Sequence, residues 1–505
     1  MLKSRANIIL ENREALRVAA SAARISTQQG TAMEIFEASL GDERDLKLIG
    51  KVLSSGHKSV IEHQVYAIAF NDVSVLVEQF VIEARLASFT VKSRRYVDFA
   101  SAGFVVPEDL TKEQRALYEA TMEARFRDYE RLLELGVPKE DARFVLPYCL
   151  RSNFYMTLNA RELISLIGAM LWGRGKGFPE IEALGLQLKE QFDRLYPGVM
   201  DKEAKRFGHY AAPELPDMRV HPTGEDDGKQ VSDMAADLFG ALGGGDLNEL
   251  IGGLVSNDDP AAANVGAMLK KEFDLLFPKG QGMNIPGPCE GDAELLSAPA
   301  DPKALLSAAM AFSGRFPAVD GEVLVDGNIR ALMEDERPRE LELLNYVFRV
   351  KNISLACLTH FTRHRIDSPL IPPVLCALAG NRYVLPESVK ANPEAERVYR
   401  NAFMEQFHAA HALLEAGISR ENLSYLAMSG HELDILLGMN ARQLQHFMKL
   451  RVCNRAQWEI RGVARRMLDL LRAESPELYL YFGPSCRLAP CPEGKMSCGS
   501  PDGIR

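Results

Sequence analysis

Long apolar runs are missing from this 505-residue chain. No stretch approaches the roughly 20 residues that cross a bilayer. The opening MLKSRANIILENREALRVAA has no apolar core of signal-peptide length. Neither a membrane span nor a secretory signal is expected. Cysteine is scarce, with eight in all. Cys149, Cys289, Cys357, Cys376 and Cys453 are scattered, and Cys486, Cys491 and Cys498 crowd the end. That is too few for a disulfide scaffold and points to a reducing cytoplasm. Positive charge is also short: 59 Lys and Arg against 69 Asp and Glu leave a formal charge of -10. A broad nucleic-acid surface needs a basic face, so DNA is not an expected partner. A small local phosphate site remains compatible with this balance.

What is present is ordinary globular composition, 47% hydrophobic and 25% charged. The length suggests two to four domains. Apolar residues recur at three- and four-residue steps over 112–136, which predicts a long helix closed by glycine. A second helix is predicted over 454–474, with Asn454 as its N-cap. Short β-like runs at Val65–Phe70 and Tyr346–Val350 lead into apolar helices at 73–86 and 353–362.

The pattern repeats. Asn159-Ala160-Arg161 opens an apolar helix, and Asn440-Ala441-Arg442 does so 281 residues later. Arg95-Tyr96 recurs as Arg382-Tyr383 after 287 residues. Near-constant spacing of matched features indicates a duplicated domain and not a short-repeat solenoid. Between the copies, residues 223–300 are rich in Gly, Asp, Ala and Pro, the composition of a flexible or loosely helical insertion. Its GALGGGD run lacks the glycine spacing of a dinucleotide fingerprint.

Four polar segments interrupt apolar surroundings. Gly56 to His63 carries two histidines and a glutamate, either an incomplete metal set or a structural turn. Arg85 to Tyr96 follows a hydrophobic helix with basic and hydroxyl groups that suit a phosphate monoester, or a solvated helix end. Thr362-Arg363-His364-Arg365 offers three adjacent cation-capable groups, for a diphosphate, for a flavin edge, or simply as a charged terminus. Arg451, between two helices, can be aimed with backbone N–H groups at one anion.

In order, these segments resemble the flavin-dependent thymidylate synthases, whose signature runs GHxSxxEH, RHRxxS…SxRY, ARxVLP, NAR and LR…AQWEI. Copy one matches at Ala23 to Ser26, Gly56 to His63, Arg85, Ser88, Ser93, Arg95, Tyr96, Ala142 to Pro147 and Asn159 to Arg161. Copy two matches at Arg363 to Arg365 with Ser368, Arg382-Tyr383, Asn440 to Arg442, Leu450-Arg451 and Ala456 to Ile460. The resemblance covers about 1–200 and 300–480. It implies an α+β fold of two copies, each a small antiparallel sheet with long helices, arranged as a pseudo-dimer. The corresponding division is 1–212 for copy one, 213–300 for the insertion and the start of copy two, 301–480 for the rest of copy two, and 481–505 for a cysteine-containing tail.

Each copy departs from the family where the other conforms. Copy one has Glu83-Ala84-Arg85 in place of RHR, Leu171-Trp172 in place of LR, and Gly177 to Ile181 in place of AQWEI. Copy two has Glu342-Leu343 for the EH pair and Leu423 to Met428 for ARxVLP. Its loop from Ser368 to Arg382 is longer and rich in proline. The resemblance therefore implies a composite site. Ser93, Arg95 and Arg143 of copy one would hold a nucleotide phosphate together with Arg451 of copy two, and Ser93 and Arg451 are the expected catalytic residues. Arg363, His364 and Arg365 would face FAD, with His57, His63, Asn159, Arg161, Asn440 and Arg442. The reverse pairing, without counterparts of Arg143 and Arg451, would be inactive.

The family reaction passes a one-carbon unit from methylenetetrahydrofolate to C5 of dUMP, with flavin recharged by NADPH. A close variant on another pyrimidine nucleotide, a flavoenzyme on a different substrate, and a non-catalytic nucleotide- or partner-binding homologue are the alternatives. The family assembles as tetramers, so two such chains would make a homodimer acting as a pseudo-tetramer. Cys486, Cys491 and Cys498 lie outside the family pattern, as zinc or iron–sulfur ligands with a fourth elsewhere, or as free tail thiols.

Overall fold

A computed structural model describes residues 4–12, 14–207 and 287–500. Most of the Gly/Asp-rich insertion, through residue 286, lies outside the described residues. In chain order the strands are β1 (Arg5–Glu11), β2 (Val65–Ser74), β3 (Ala87–Val91), β4 (Arg151–Asn159), β5 (Gly287–Cys289), β6 (Asp292–Ser297), β7 (Asn345–Ser354), β8 (Ser368–Leu370), β9 (Arg382–Val384) and β10 (Glu432–Asn440).

Two antiparallel four-stranded sheets have the same topology. Their orders are β1-β2-β4-β3 and β6-β7-β10-β8. The short β5 and β9 add a parallel pair. In each sheet the second strand ends in a shifted register beside a left-handed residue, Asp72 (φ 54°) or Asn352 (φ 52°). Asp and Asn tolerate this region because their short side chains bond locally.

A serine then caps a buried helix in both copies. Ser74 accepts from the Val77 N–H ahead of Val75–Ile82, and Ser354 accepts from the Cys357 N–H ahead of Leu355–Phe361. These helices are shorter than the apolar runs suggested. The cap serines belong to the strands, and turns follow at Glu83 and Thr362. The predicted long helix is present as Lys112–Glu134, with Thr111 in a capping box and Gly136 left-handed beyond its end.

The later helix begins at Trp458, not Asn454. Gln457 caps it by accepting from the Glu459 and Ile460 N–H groups. The preceding helix runs to Arg451, and the intervening residues are needed to turn the chain.

The copies are fused along their middles. Helix Lys112–Glu134 packs against Pro393–Glu415, and the fully buried Arg125 reaches across to the Ala402 carbonyl and Glu405. Segments 144–149 and 425–430 exchange backbone bonds. Tyr148 donates to Ala427 at 2.8 Å, Ser429 to Leu146 at 2.9 Å and Gly430 to Phe144 at 2.7 Å. Residues 99–150 consequently share a core with copy two, while the first sheet keeps a second core of its own. No helix among the described residues is long and apolar enough to cross a membrane.

Candidate active site between the copies

The cross-paired segments bring arginines from both copies toward one point. Arg143 opens the 3-10 turn Arg143–Val145 and is 4% exposed. Its Nε donates to the Glu140 carbonyl at 3.0 Å, and its buried Nη2 has no partner. Burial, then the neighbouring Arg94 and Arg95, lowers its pKa to about 10. Arg451, the last residue of helix Ala441–Arg451, donates through Nε to His364 Nε2 at 2.9 Å and through Nη2 to the His360 carbonyl at 3.2 Å. Burial, then Arg363 and Arg95, lowers it likewise to about 10.

His360 stands at the centre. It is 3% exposed, and neither ring nitrogen has a partner. Burial first, then Arg143, Arg451, Arg363 and Arg95, holds it well below the usual histidine range. Partial compensation comes from two carboxylates. Glu78 pairs with Arg94 through bonds of 2.8 and 3.0 Å, and Glu140 faces Arg95 Nε at 2.5 Å. Positive charge remains in excess, beside buried donors that have nothing to donate to. Such orphaned groups are costly in a core, and their convergence is the signature of a place built for an acceptor-rich guest. Ser93 lies at the same turn, its Oγ accepting from the Arg95 N–H at 3.3 Å.

Beside the cluster lies a cavity of about 440 Å³ with walls from both copies. Ile82, Glu83 and Arg85 come from copy one, and His364, Arg365 and Asp367 are among the residues from copy two. A second cavity, about 580 Å³, joins Arg365 and Ile366 to Arg174, Glu162 and Ser165 of copy one. Arg365 crosses over to donate to the Ala87 carbonyl and Ser88 Oγ, both at 3.1 Å, while Arg85 donates to the Ile366 carbonyl at 2.8 Å. His364 is an acceptor here, and burial followed by the Arg451 charge brings its pKa to about 3. Asp367 is raised to about 7 by burial.

The other expected residues are placed variously. Asn159 and Asn440 cap their helices, accepting from the Glu162 and Gln443 N–H groups. Arg161 pairs with Glu62 at 2.6 Å, and Arg442 pairs with Glu342. His57 and His63 are exposed and line neither cavity. Cys486, Cys491 and Cys498 line a separate cavity. No three His, Cys, Asp or Glu side chains among the described residues stand close enough to hold a metal ion.

Sequence reasoning missed His360 and Arg94, because a histidine inside an apolar helix and a third arginine in a basic turn carry no distinctive spacing. It also missed Arg174. Copy one was expected to lack any counterpart of Arg451, yet Arg174 Nη2 donates to the Phe80 carbonyl at 2.6 Å, and its Nη1 is bonded to Glu83. Phe80 and His360 are each the sixth residue after their cap serine. Two glycines permit this detour. A Cβ on Gly173 would meet Ala169 Cα at 3.0 Å, and one on Gly175 would meet the Met170 backbone at 2.9 Å.

The family model described as thymidylate synthase complementing protein (Thy1) matches residues 7–198 and 294–477. The chain belongs to this family. A flavin-dependent thymidylate synthase of Geobacter sulfurreducens is 36% identical over 32% of this chain and 70% of its own length. Another, from Nitratidesulfovibrio vulgaris, is 32% identical over 42% of this chain and 95% of its own length. The crystal structure of a UMP/dUMP methylase, PolB from Streptomyces cacaoi, bound with 5-Br dUMP, aligns with a TM-score of 0.35 at 25% identity, covering 41% of this chain and 97% of that one. This Thy1-family chain therefore spans most of each relative's length within less than half of its own, as an α+β protein with two like sheets.

Proposed function

We propose that the chain methylates C5 of dUMP or a close pyrimidine nucleotide in a flavin-dependent reaction, at a composite site between its two copies. The observation that carries this reading is the buried, unpartnered Arg143 Nη2 and His360 ring, set among arginines of both copies. A nucleotide phosphate supplies the acceptors and the negative charge that these groups lack. In this reading Arg143 and Arg95 grip the phosphate from copy one and Arg451 from copy two, with Ser93 as a hydroxyl donor. His364 keeps Arg451 oriented by accepting its Nε–H.

FAD fits the adjoining cavities by donor set. Arg85, Arg365 and His364 offer charge and hydrogen bonds, and Leu370 and Ile371 offer apolar faces. When bound, it would supply the hydride that reduces the transferred one-carbon unit. Methylenetetrahydrofolate and NADPH are the implied co-substrates. The chain's own residues orient the nucleotide, exclude water from its phosphate and set the local potential. The exposed His57 and His63, apart from both cavities, suit a flavin site completed by a second copy of the chain, hence a homodimer acting as a pseudo-tetramer. A neighbouring pyrimidine nucleotide is the second reading. It is favoured by Pro369, Leu370 and Ile371, from the lengthened loop, in the cavity wall.

The test combines flavin content with turnover. The purified chain should take up FAD and convert dUMP with labelled methylenetetrahydrofolate and NADPH. A preparation that refuses FAD sinks the enzyme reading, and turnover of UMP in place of dUMP selects the second.

A further inference from the structure

The tail cysteines acquire a fourth companion in the fold. Cys453, Cys486, Cys491 and Cys498 all line one partly open cavity of about 420 Å³. Half of the chain's eight cysteines thus meet at one place, although Cys453 lies 33 residues before the tail group. Cys453 follows Arg451 by two residues, in the turn before helix Trp458–Glu474. Cys453, Cys491 and Cys498 carry no disulfide.

The surroundings favour an anionic occupant. Arg455, Arg465 and Arg472 line the cavity against Asp469 and Glu493. Asn454 is held by Arg465 at 3.1 Å, and its Nδ2 donates to Cys498 Sγ at 3.6 Å.

We propose that these four cysteines ligate an iron–sulfur cluster. A single zinc ion sits about 2.3 Å from each thiolate, which draws the sulfurs to roughly 4 Å of one another. No three metal-ligating side chains among the described residues approach such an arrangement. A cluster core spreads its four thiolates over several irons and so around a larger space than a single ion, and all four cysteines line one cavity of about 420 Å³. The resulting charge is negative, which the three arginines offset, and an amide bonded to one sulfur is the kind of contact that tunes such a centre.

The test uses the full-length chain, purified anaerobically and, in a second sample, reconstituted with ferrous iron and sulfide. Iron and acid-labile sulfide should appear in equal amounts, about two or four of each per chain. Dithionite reduction should give a low-temperature electron paramagnetic resonance signal that persists after flavin is stripped. Cys453→Ser and Cys491→Ser should each lose that iron while keeping flavin and the circular dichroism of the parent. Cys376→Ser, outside the cavity, should keep it. Zinc without sulfide, full iron retained by both cavity variants, or no metal after reconstitution of the parent chain would each overturn the proposal. Should a serine variant fail to fold, reconstitution of the parent chain alone decides.

Discussion

The two copies place an arginine at the same backbone carbonyl and then treat it in opposite ways. In copy two, Arg451 donates to the His360 carbonyl, and the ninth residue after the cap serine is Arg363. In copy one, Arg174 donates to the Phe80 carbonyl and lies 4.1 Å over the Phe80 ring, and the ninth residue is Glu83, which pairs with it. Arg143 opens the cross-paired turn of copy one, and Ser424 opens that of copy two. Arg95 faces Glu140 at 2.5 Å, whereas Arg382 is 3.8 Å from Glu432, which burial raises to about 7. Arg143 keeps an unpartnered Nη2 and Arg451 bonds to a histidine, whereas Arg174 is cancelled by Glu83; at the Arg95 and Arg382 positions the order reverses, Arg95 being the more closely paired. Neutralisation of a cation, as well as deletion of one, distinguishes the Arg174 position from the Arg451 position.

The comparison breaks most readily at the cation-rich pocket. Each hydrogen bond from a charged group to phosphate contributes about 1.5–3 kcal/mol. Arg143→Ala and Arg451→Ala should therefore each weaken dUMP binding by roughly 10- to 150-fold, measured by calorimetry on the FAD-loaded protein. Binding should saturate at one nucleotide per chain. Full affinity in either variant, or two equivalent sites per chain, would remove the asymmetry.

The repeat itself was legible in the letters. Sheet-forming runs, the apolar helices after them and the NAR pair recur at near-constant spacing, and the two sheets share one strand order. The convergence of Arg95, Arg143 and Arg451 was legible only through the family resemblance, because they lie on three elements that meet by tertiary packing. Arg174 was not legible at all. Its guanidinium replaces that of Arg451 from a different point in the sequence, by way of a glycine-flanked turn that alignment of letters passes over. The cysteine cavity was half legible, since Cys453 joins the tail only in space.

A pair of matched glutamates extends the contrast to stability. Glu180 accepts from Ser4 Oγ at 2.6 Å, the Ser74 N–H at 3.0 Å and the Tyr425 hydroxyl at 2.9 Å. Among the described residues, Glu459, its counterpart, accepts from the Ser354 N–H at 2.7 Å and the Ser354 hydroxyl at 2.5 Å. Burial raises Glu459 from 4.5 to about 7. A carboxyl raised in the folded state stabilises the fold fully below its unfolded pKa, and that contribution is lost as pH climbs through the folded value. The loss between pH 4.5 and about 7 is of the order of 3 kcal/mol. Glu459→Gln should flatten thermal stability across that window, read from melting curves at successive pH. An unchanged slope would show that Glu459 is not the buried acid responsible.

The smallest expected effect lies in the neutralised pocket. Glu83 and Arg174 have side chains 21% and 33% exposed, so solvent screens their pairing. Glu83→Gln should lower stability by only about 0.2–1 kcal/mol, by chemical denaturation. It should leave dUMP stoichiometry at one, because Ser424 offers no guanidinium opposite the released Arg174. Glu83→Arg sharpens the point by adding a cation where copy two has Arg363. If a second nucleotide then bound, neutralisation by Glu83 alone would account for the silent pocket, and the missing counterpart of Arg143 would be incidental. If binding stayed at one per chain, both differences would be required, and the two pockets would be separated by deletion as well as by cancellation of charge.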